Sequence, residues 1–502
     1  MPHPPIIIPK IGKGEERKIQ KTIDACKEVA NRIAALKPQT IVLTSPHSVL
    51  YSDYFHISSG SGAKGSFSQF GAPQVQMKVT YDEEFVRQLC NLAERSAHAN
   101  SKSASSNSEG VHDRYSSFPA GTLGEREEYK TLDHGVMVPL SFVNELYTDY
   151  KLVRIGLSGL SPQEHYQLGK MITEVSNKLN GRVVFLASGD LSHKLTDDGP
   201  YGFSPDGPVF DKQVIEAMAN ADFLKFLTFE PEFCDSAAEC GLRSFMIMAG
   251  ALDCKEVKAE LLSHEGPFGV GYGVAAFEVE GDNPARNFDV QLQEYEKRKL
   301  AGIKSNEDIY VRLARFSLET YVRSGKTAKL STDPGASKSD NVNNIECNNG
   351  FNGGYFSVSE LPLEMLHERA GVFVSIHKDG QLRGCIGTIG PVTESIAREI
   401  IRNAVSAGTE DPRFDAVKIG ELDNLVYSVD VLGPIEDIKD KSQLDVRRYG
   451  VIVSCKGRRG LLLPNLEGVD TVDYQIDIAR QKGGIGKNEK YTLQRFEVVR
   501  HK

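Results

Sequence analysis

Strand-like runs that directly follow helix-patterned segments constrain this chain more than any other feature. Ile19, Ile23, Cys26, Ala30 and Ile33 recur at helical spacing and lead into Thr40-Ile-Val-Leu-Thr44. The order returns as a helix over Pro162 to Leu179 followed by Arg182-Val-Val-Phe-Leu186. Helices over Asp211 to Asn220 and Glu239 to Leu252 and a closing strand from Gly271 to Phe277 complete the set. Helix feeding strand in this way predicts an α/β domain with a largely buried sheet over residues 1–280.

A chain of 502 residues is too long for one ordinary core. Residues 281–304 are charged and helix-prone and read as a linker, and 305–502 carry a second set of strands and helices, an α+β pattern. In that part Gly371 to Lys378 and Gln381 to Ile386 flank Asp379-Gly380, a pair suited to a two-residue type I′ hairpin. Unbroken pairing sets 378 opposite 381, hence Cys385 opposite Val374 with His377 on the other face. That argues against a Cys385–His377 nucleophile pair and for a small buried thiol. Ser96 to Gly110 and Ser331 to Gly354 hold few core formers and read as a loop and a flexible insertion. Gly60-Ser-Gly-Ala-Lys-Gly65 has dinucleotide-fingerprint spacing but opens no helix, so it reads as loop.

Several functions are disfavoured. A formal charge of −9 works against general nucleic-acid binding, and Lys456 to Arg459 reads as a solvated face. No apolar run reaches the length of a membrane span, which gives a soluble, cytoplasmic expectation. Eight cysteines without a Cys-x-x-Cys pair imply reduced thiols rather than disulfides or a structural zinc site.

The chemistry concentrates in the first domain. Pro2-His3-Pro4, Pro46-His47 and Ser188-Gly-Asp-Leu-Ser-His193 place histidines beside strand-like runs, and Glu239 opens an apolar helical segment. Two histidines and one carboxylate form the facial triad of non-haem ferrous sites. The competing readings are ordinary loop histidines and a helix-start carboxylate stabilised by the helix dipole. His134, in Leu132-Asp-His-Gly-Val-Met-Val-Pro-Leu140, has a strand-edge context, and Phe67, Phe70 and Phe118 are candidates to line a pocket or simply to pack.

As an ordered set, Pro2-His-Pro-Pro5, Ser45-Pro-His47, Asp133-His-Gly135, Ser188 to His193, Glu239-Cys-Gly-Leu-Arg243 and Gly271 to Ala276 resemble the class III extradiol ring-cleavage dioxygenases of the LigB type and the related Memo proteins. The resemblance implies a mixed sheet flanked by helices and an enzyme that opens an aromatic diol with O2 at Fe(2+). It further implies His3, His47 and Glu239 as metal ligands, His193 as acid/base and His134 as a substrate contact. Memo-like relatives use a cysteine near Cys240, which would suit softer metals. Leu382-Arg-Gly-Cys-Ile-Gly-Thr388 and Glu410-Asp-Pro-Arg-Phe414 resemble the family named after the AMME syndrome chromosomal candidate region. The two modules in one chain resemble the A component of the AmmeMemoRadiSam system, which implies a radical SAM partner; self-association is a further expectation. Alternatives are a metal-binding scaffold without turnover and a metal-dependent hydrolase.

Overall fold

The computed structural model describes residues 1–100, 118–123, 130–330, 355–356, 358–466 and 468–502. They form two compact units, Met1–Tyr295 and Glu296–Lys502, each mixing helices with sheets and neither closing a barrel. Among the described residues no helix is long and apolar enough to cross a membrane.

In the first unit Thr40–Ser45 is the centre of a three-stranded parallel sheet, flanked by Lys151–Gly156 and Val183–Ala187. Every residue of the central strand is buried, as a parallel strand covered on both faces requires. Helices Gln20–Leu36 and Pro162–Leu179 supply cover and crossover. The capping box of Ser161 and Glu164, with Pro162 in the first turn, starts the latter where the sequence places it. The closing strand Tyr272–Asp282 pairs with Lys255–Glu265 as an antiparallel ribbon outside that sheet. Gly60 to Gly65 is not all loop, since Gly62–Phe67 pairs with Ala72–Thr80. Most of Ser96 to Gly110, and all of Ser331 to Gly354, lie outside the described residues, although helix Glu83–Asn100 enters the first of them.

Two local expectations change. Leu132 to Leu140 is no strand edge: His134–Asn144 is a helix, begun by Asp133, whose carboxylate accepts from Val136 N. Its alternation looked strand-like because Gly135 to Leu140 are buried on all sides, which erases helical periodicity. In the second unit the hairpin Val372–Lys378/Gln381–Gly387 turns through Asp379 and Gly380, both at positive φ. A bulge at Ile376/His377 then shifts the register, so Cys385 faces Ser375 rather than Val374 and receives its hydroxyl at 3.2 Å. Cys385 therefore shares a face with His377, and its thiol is half-buried.

The second unit has its own core, in which helices Ile309–Ser324 and Ile396–Thr409 cover Val374, Ile376 and Val429. Residues 305–502 expressed alone are expected to melt in one cooperative transition followed by circular dichroism; a molten product without a transition contradicts independent folding. Its acid limb has an identifiable contributor. Hydrogen bonds from Arg383 at 3.0 and 3.1 Å, with Lys378 and the Lys418 amide, bring the Glu421 carboxyl from an ordinary 4.5 down to about 2. A carboxyl depressed on folding contributes its full stabilisation above about pH 4.5 and loses it as the pH falls toward 2. In Glu421→Gln, stability across that window should fall less steeply with acid than in the parent, measured by urea melts at stepped pH.

Candidate metal centre

The carboxyl ends of parallel strands are where α/β sheets open their functional crevices, and the expected residues gather there. His47 stands two residues beyond Thr40–Ser45, and Ser188 to Asp190 follow Val183–Ala187. The N-terminal segment lies across this edge, with the Met1 ammonium donating to Ala187 O at 2.7 Å and Gly189 N donating to Met1 O at 3.2 Å. Cys240 arrives on the turn that begins helix Leu242–Ala251. A Cβ on Gly189 would meet Gly241 Cα at 2.1 Å, so the loops carrying Asp190 and Cys240 can touch only through glycine.

His3 Nε2 lies 3.0 Å from His47 Nε2 and 3.7 Å from Cys240 Sγ, and the three donor atoms all fall within 4.8 Å of one another. The tautomer of His3 follows from its neighbour. Ser188 Oγ donates to Gly135 O at 2.6 Å, so toward His3 Nδ1, 3.0 Å away, it accepts. Nδ1 therefore carries the proton and Nε2 turns a lone pair to the centre, the usual arrangement of a ligating imidazole. Burial lowers the pKa of both His3 and His47, with His47 adding to the effect on His3. Neutral imidazoles with converging lone pairs fit a metal ion. Burial raises the Cys240 pKa well above 9 and so keeps the thiol protonated without a cation; opposing this, Asp190 N donates to the sulfur at 3.3 Å, a contact that favours the thiolate a cation would draw out. His3 is 1 % exposed while His47 reaches solvent, so the centre opens on the His47 side.

Glu239, expected as the third ligand, stands outside this set. Its Oε2 accepts from Leu242 N at 2.7 Å at the start of the helix, and burial pushes its pKa up to about 7. That is the helix-start role weighed against ligation from the sequence. His134 sits beside the centre, its ring 4.0 Å from that of His47 and 5.2 Å from Phe70, with its pKa pushed down to about 3 by burial and then by His47. His193 is close enough for its charge to lower the pKa of His3. Its Nδ1 is buried without a partner among the described residues, and its ring stands edge-on to Tyr201. Phe67 and Phe118 pack in cores.

Two residues were missed from the sequence. Asp190 accepts from His3 N at 2.8 Å, and burial lifts its carboxyl to about 6. Asp133 accepts from Ser45 Oγ at 2.6 Å, Ser48 Oγ at 2.7 Å and Arg154 Nη2 at 2.8 Å, fixing the turn that carries His47. Burial opposes its charge, but the guanidinium and the two hydroxyls hold the carboxyl below its ordinary value. The signal available for each was an aspartate directly beside a candidate histidine or at the end of an apolar run. Arg154 is 3 % exposed, and removing one partner of such a pair leaves an uncompensated charge. Arg154→Met should cost about 3 kcal/mol, read from urea melts.

Residues 1–275 match the family described as "Catalytic LigB subunit of aromatic ring-opening dioxygenase", and residues 311–501 match AMMECR1. The chain belongs to the LigB family, with an AMMECR1 domain fused to it. Protein CA_C1420 of Clostridium acetobutylicum is 39 % identical over 505 aligned residues that span 100 % of this chain and 98 % of that one. A protein of Thermotoga maritima is 51 % identical over 144 residues, 28 % of this chain and 83 % of its own. The crystal structure of uncharacterized protein PH0010 from Pyrococcus horikoshii matches 39 % of this chain and 89 % of its own at 28 % identity and a TM-score of 0.31.

Proposed function

We propose that the first unit of this LigB-family protein binds a metal ion through His3 Nε2, His47 Nε2 and Cys240 Sγ and opens a ring-hydroxylated aromatic with O2. The convergence of those three atoms at the sheet edge carries the reading. Bound iron would supply Lewis acidity toward vicinal hydroxyls and the redox chemistry that O2 requires. The chain's own residues do the rest. His134, neutral and held between Phe70 and His47, orients a substrate hydroxyl. His193, with an unpartnered buried Nδ1, accepts and returns the hydroxyl proton. Ser188 and Asp133 keep His3 and the His47 turn in position. Glu239 caps its helix.

The test is protein loaded anaerobically with Fe(2+) and then mixed with a panel of catechols in air. Loss of the aromatic absorbance that requires both iron and His193 supports the reading; a fully loaded protein that leaves every catechol intact overturns it. One observation favours a second reading, a metal-binding scaffold without turnover: a thiol stands where a ring-opening site has its carboxylate, and sulfur suits softer metals. A hydrolase would likewise leave catechols unchanged. We carry the radical SAM partner and self-association as proposals, checked by co-purification and by sedimentation.

A further inference from the structure

The residue to which the proposed reading gives the substrate proton, His193, sits on a strap that leaves the end of strand Val183–Ala187. Main-chain bonds tie this strap down on both sides. Leu191 N donates to Gly271 O and Gly271 N to Ser192 O, each at 2.8 Å, while His193 N donates to Ala237 O at 3.1 Å and Leu195 N to Gly269 O at 3.0 Å. The Ser192 hydroxyl joins them, donating to Ala237 O at 2.8 Å and accepting from Lys194 N at 3.0 Å. A further anchor is different in kind. Ser192 N donates at 2.8 Å to Asp211 Oδ1, a carboxylate carried by helix Asp206–Asn220.

Asp211 is 1 % exposed, and its other oxygen accepts from His264 Nε2 at 2.8 Å, on the strand Lys255–Glu265. Gly271 makes room for the carboxylate, since a Cβ there would stand 1.9 Å from Asp211 Oδ2. Phe210, Val214 and Met218 of the same helix lie in the core, where an apolar residue at 211 would join them without desolvating a charge. Burying a carboxylate is a poor way to stabilise a fold. What Asp211 supplies, and an apolar side chain cannot, is a fixed and charge-assisted acceptor for the amide next to His193. His193 depends on such support: its Nδ1 has no hydrogen-bond partner among the described residues, so the main chain beneath it and the Tyr201 ring, edge-on at 5.4 Å, set its aim.

We propose that Asp211 is a positioning residue for His193: with His264 locking its far oxygen, it holds the Ser192 amide and thereby fixes the direction from which the imidazole meets the substrate proton. The inference rests on the reading of His193 as the proton-transfer group. Asp211 is not among the converging donors of the metal centre, so its effect is exerted through the strap. A misplacement of about 1 Å in a reacting group costs roughly 10²-fold in rate.

Nuclear magnetic resonance of the full chain labelled with ¹³C-histidine tests this without metal or turnover. Of the 12 histidines, His193 is the one whose imidazole resonance is missing from His193→Gln. That resonance should move in Asp211→Ala and in His264→Ala, and hold its place in Asp211→Asn, whose amide oxygen still accepts from Ser192 N. His264, with a side chain 29 % exposed, gives a folded variant even where Asp211→Ala does not. A His193 resonance unmoved in the folded variants overturns the proposal. In iron-loaded protein that opens a catechol, Asp211→Ala should keep its metal and its KM and lose about 10²-fold in kcat. Asp211→Asn should recover most of that loss, and Asp211→Ala added to His193→Gln should cost nothing further. A loss that multiplies that of His193→Gln, or a raised KM in place of a lowered kcat, overturns the proposal. A parent that opens no catechol while the resonance moves as expected overturns the ring-opening reading alone.

Discussion

His3→Ala and His47→Ala should each emerge from anaerobic purification and iron loading with almost no bound metal, measured by plasma emission against protein concentration. Both imidazoles offer a neutral nitrogen to the same point, and the neighbouring ring, His134, packs its face toward His47. Losing a supporting hydrogen bond costs roughly 10–100-fold in metal affinity, and loss of the donor itself costs more. His193→Gln should keep near-stoichiometric metal, because His193 is not among the converging donors, while turnover of any catechol substrate falls by ~10²–10⁴. Metal-free His193→Gln would make that histidine a ligand and remove it from proton transfer.

Gly250→Ala should abolish soluble folded protein, or cost well over about 4 kcal/mol where it can be measured. A Cβ there would stand 1.9 Å from Tyr166 O, and one on Gly169 would stand 2.0 Å from Ile247 O. Both obstacles are backbone, so no rotamer change relieves them; helices Pro162–Leu179 and Leu242–Ala251 would have to part. Leu242–Ala251 packs directly on the strand Val183–Ala187, and Cys240 and Ser188 sit at the ends of these two elements. The damage should therefore reach the metal centre. Gly302→Ala, with open space around the new methyl inside helix Phe288–Asn306, is the control expected to melt no lower than the parent, since alanine is the better helix former by about 1 kcal/mol.

Why some of this was legible in the sequence and some was not has physical causes. Helix Pro162–Leu179 was readable to the residue because a capping box and an asparagine stop bracket an amphipathic run. Helix His134–Asn144 was not, because complete burial removes the polar face that reveals a period. The register of the Cys385 hairpin turned on one bulged residue, and side-chain period 2 makes a single slip reverse the face. The same limit governed which donor atoms converge at the sheet edge. Histidines 3 and 47 could be picked out by their places beside strand-like runs. Glu239 and Cys240 are adjacent, and which one faces the centre depends on how the chain enters its helix, set by Gly241 passing against Gly189. Asp133 and Asp190 act through contacts made by residues far away in the chain.

X-ray absorption at the metal edge of the loaded full chain tests the ligand set most directly, because sulfur and oxygen scatter at distinguishable distances. One sulfur at about 2.3 Å alongside two imidazoles, lost in Cys240→Ser and retained in Glu239→Gln, is the expected result. A shell of nitrogen and oxygen alone that changes in Glu239→Gln would contradict it and return Glu239 to the metal.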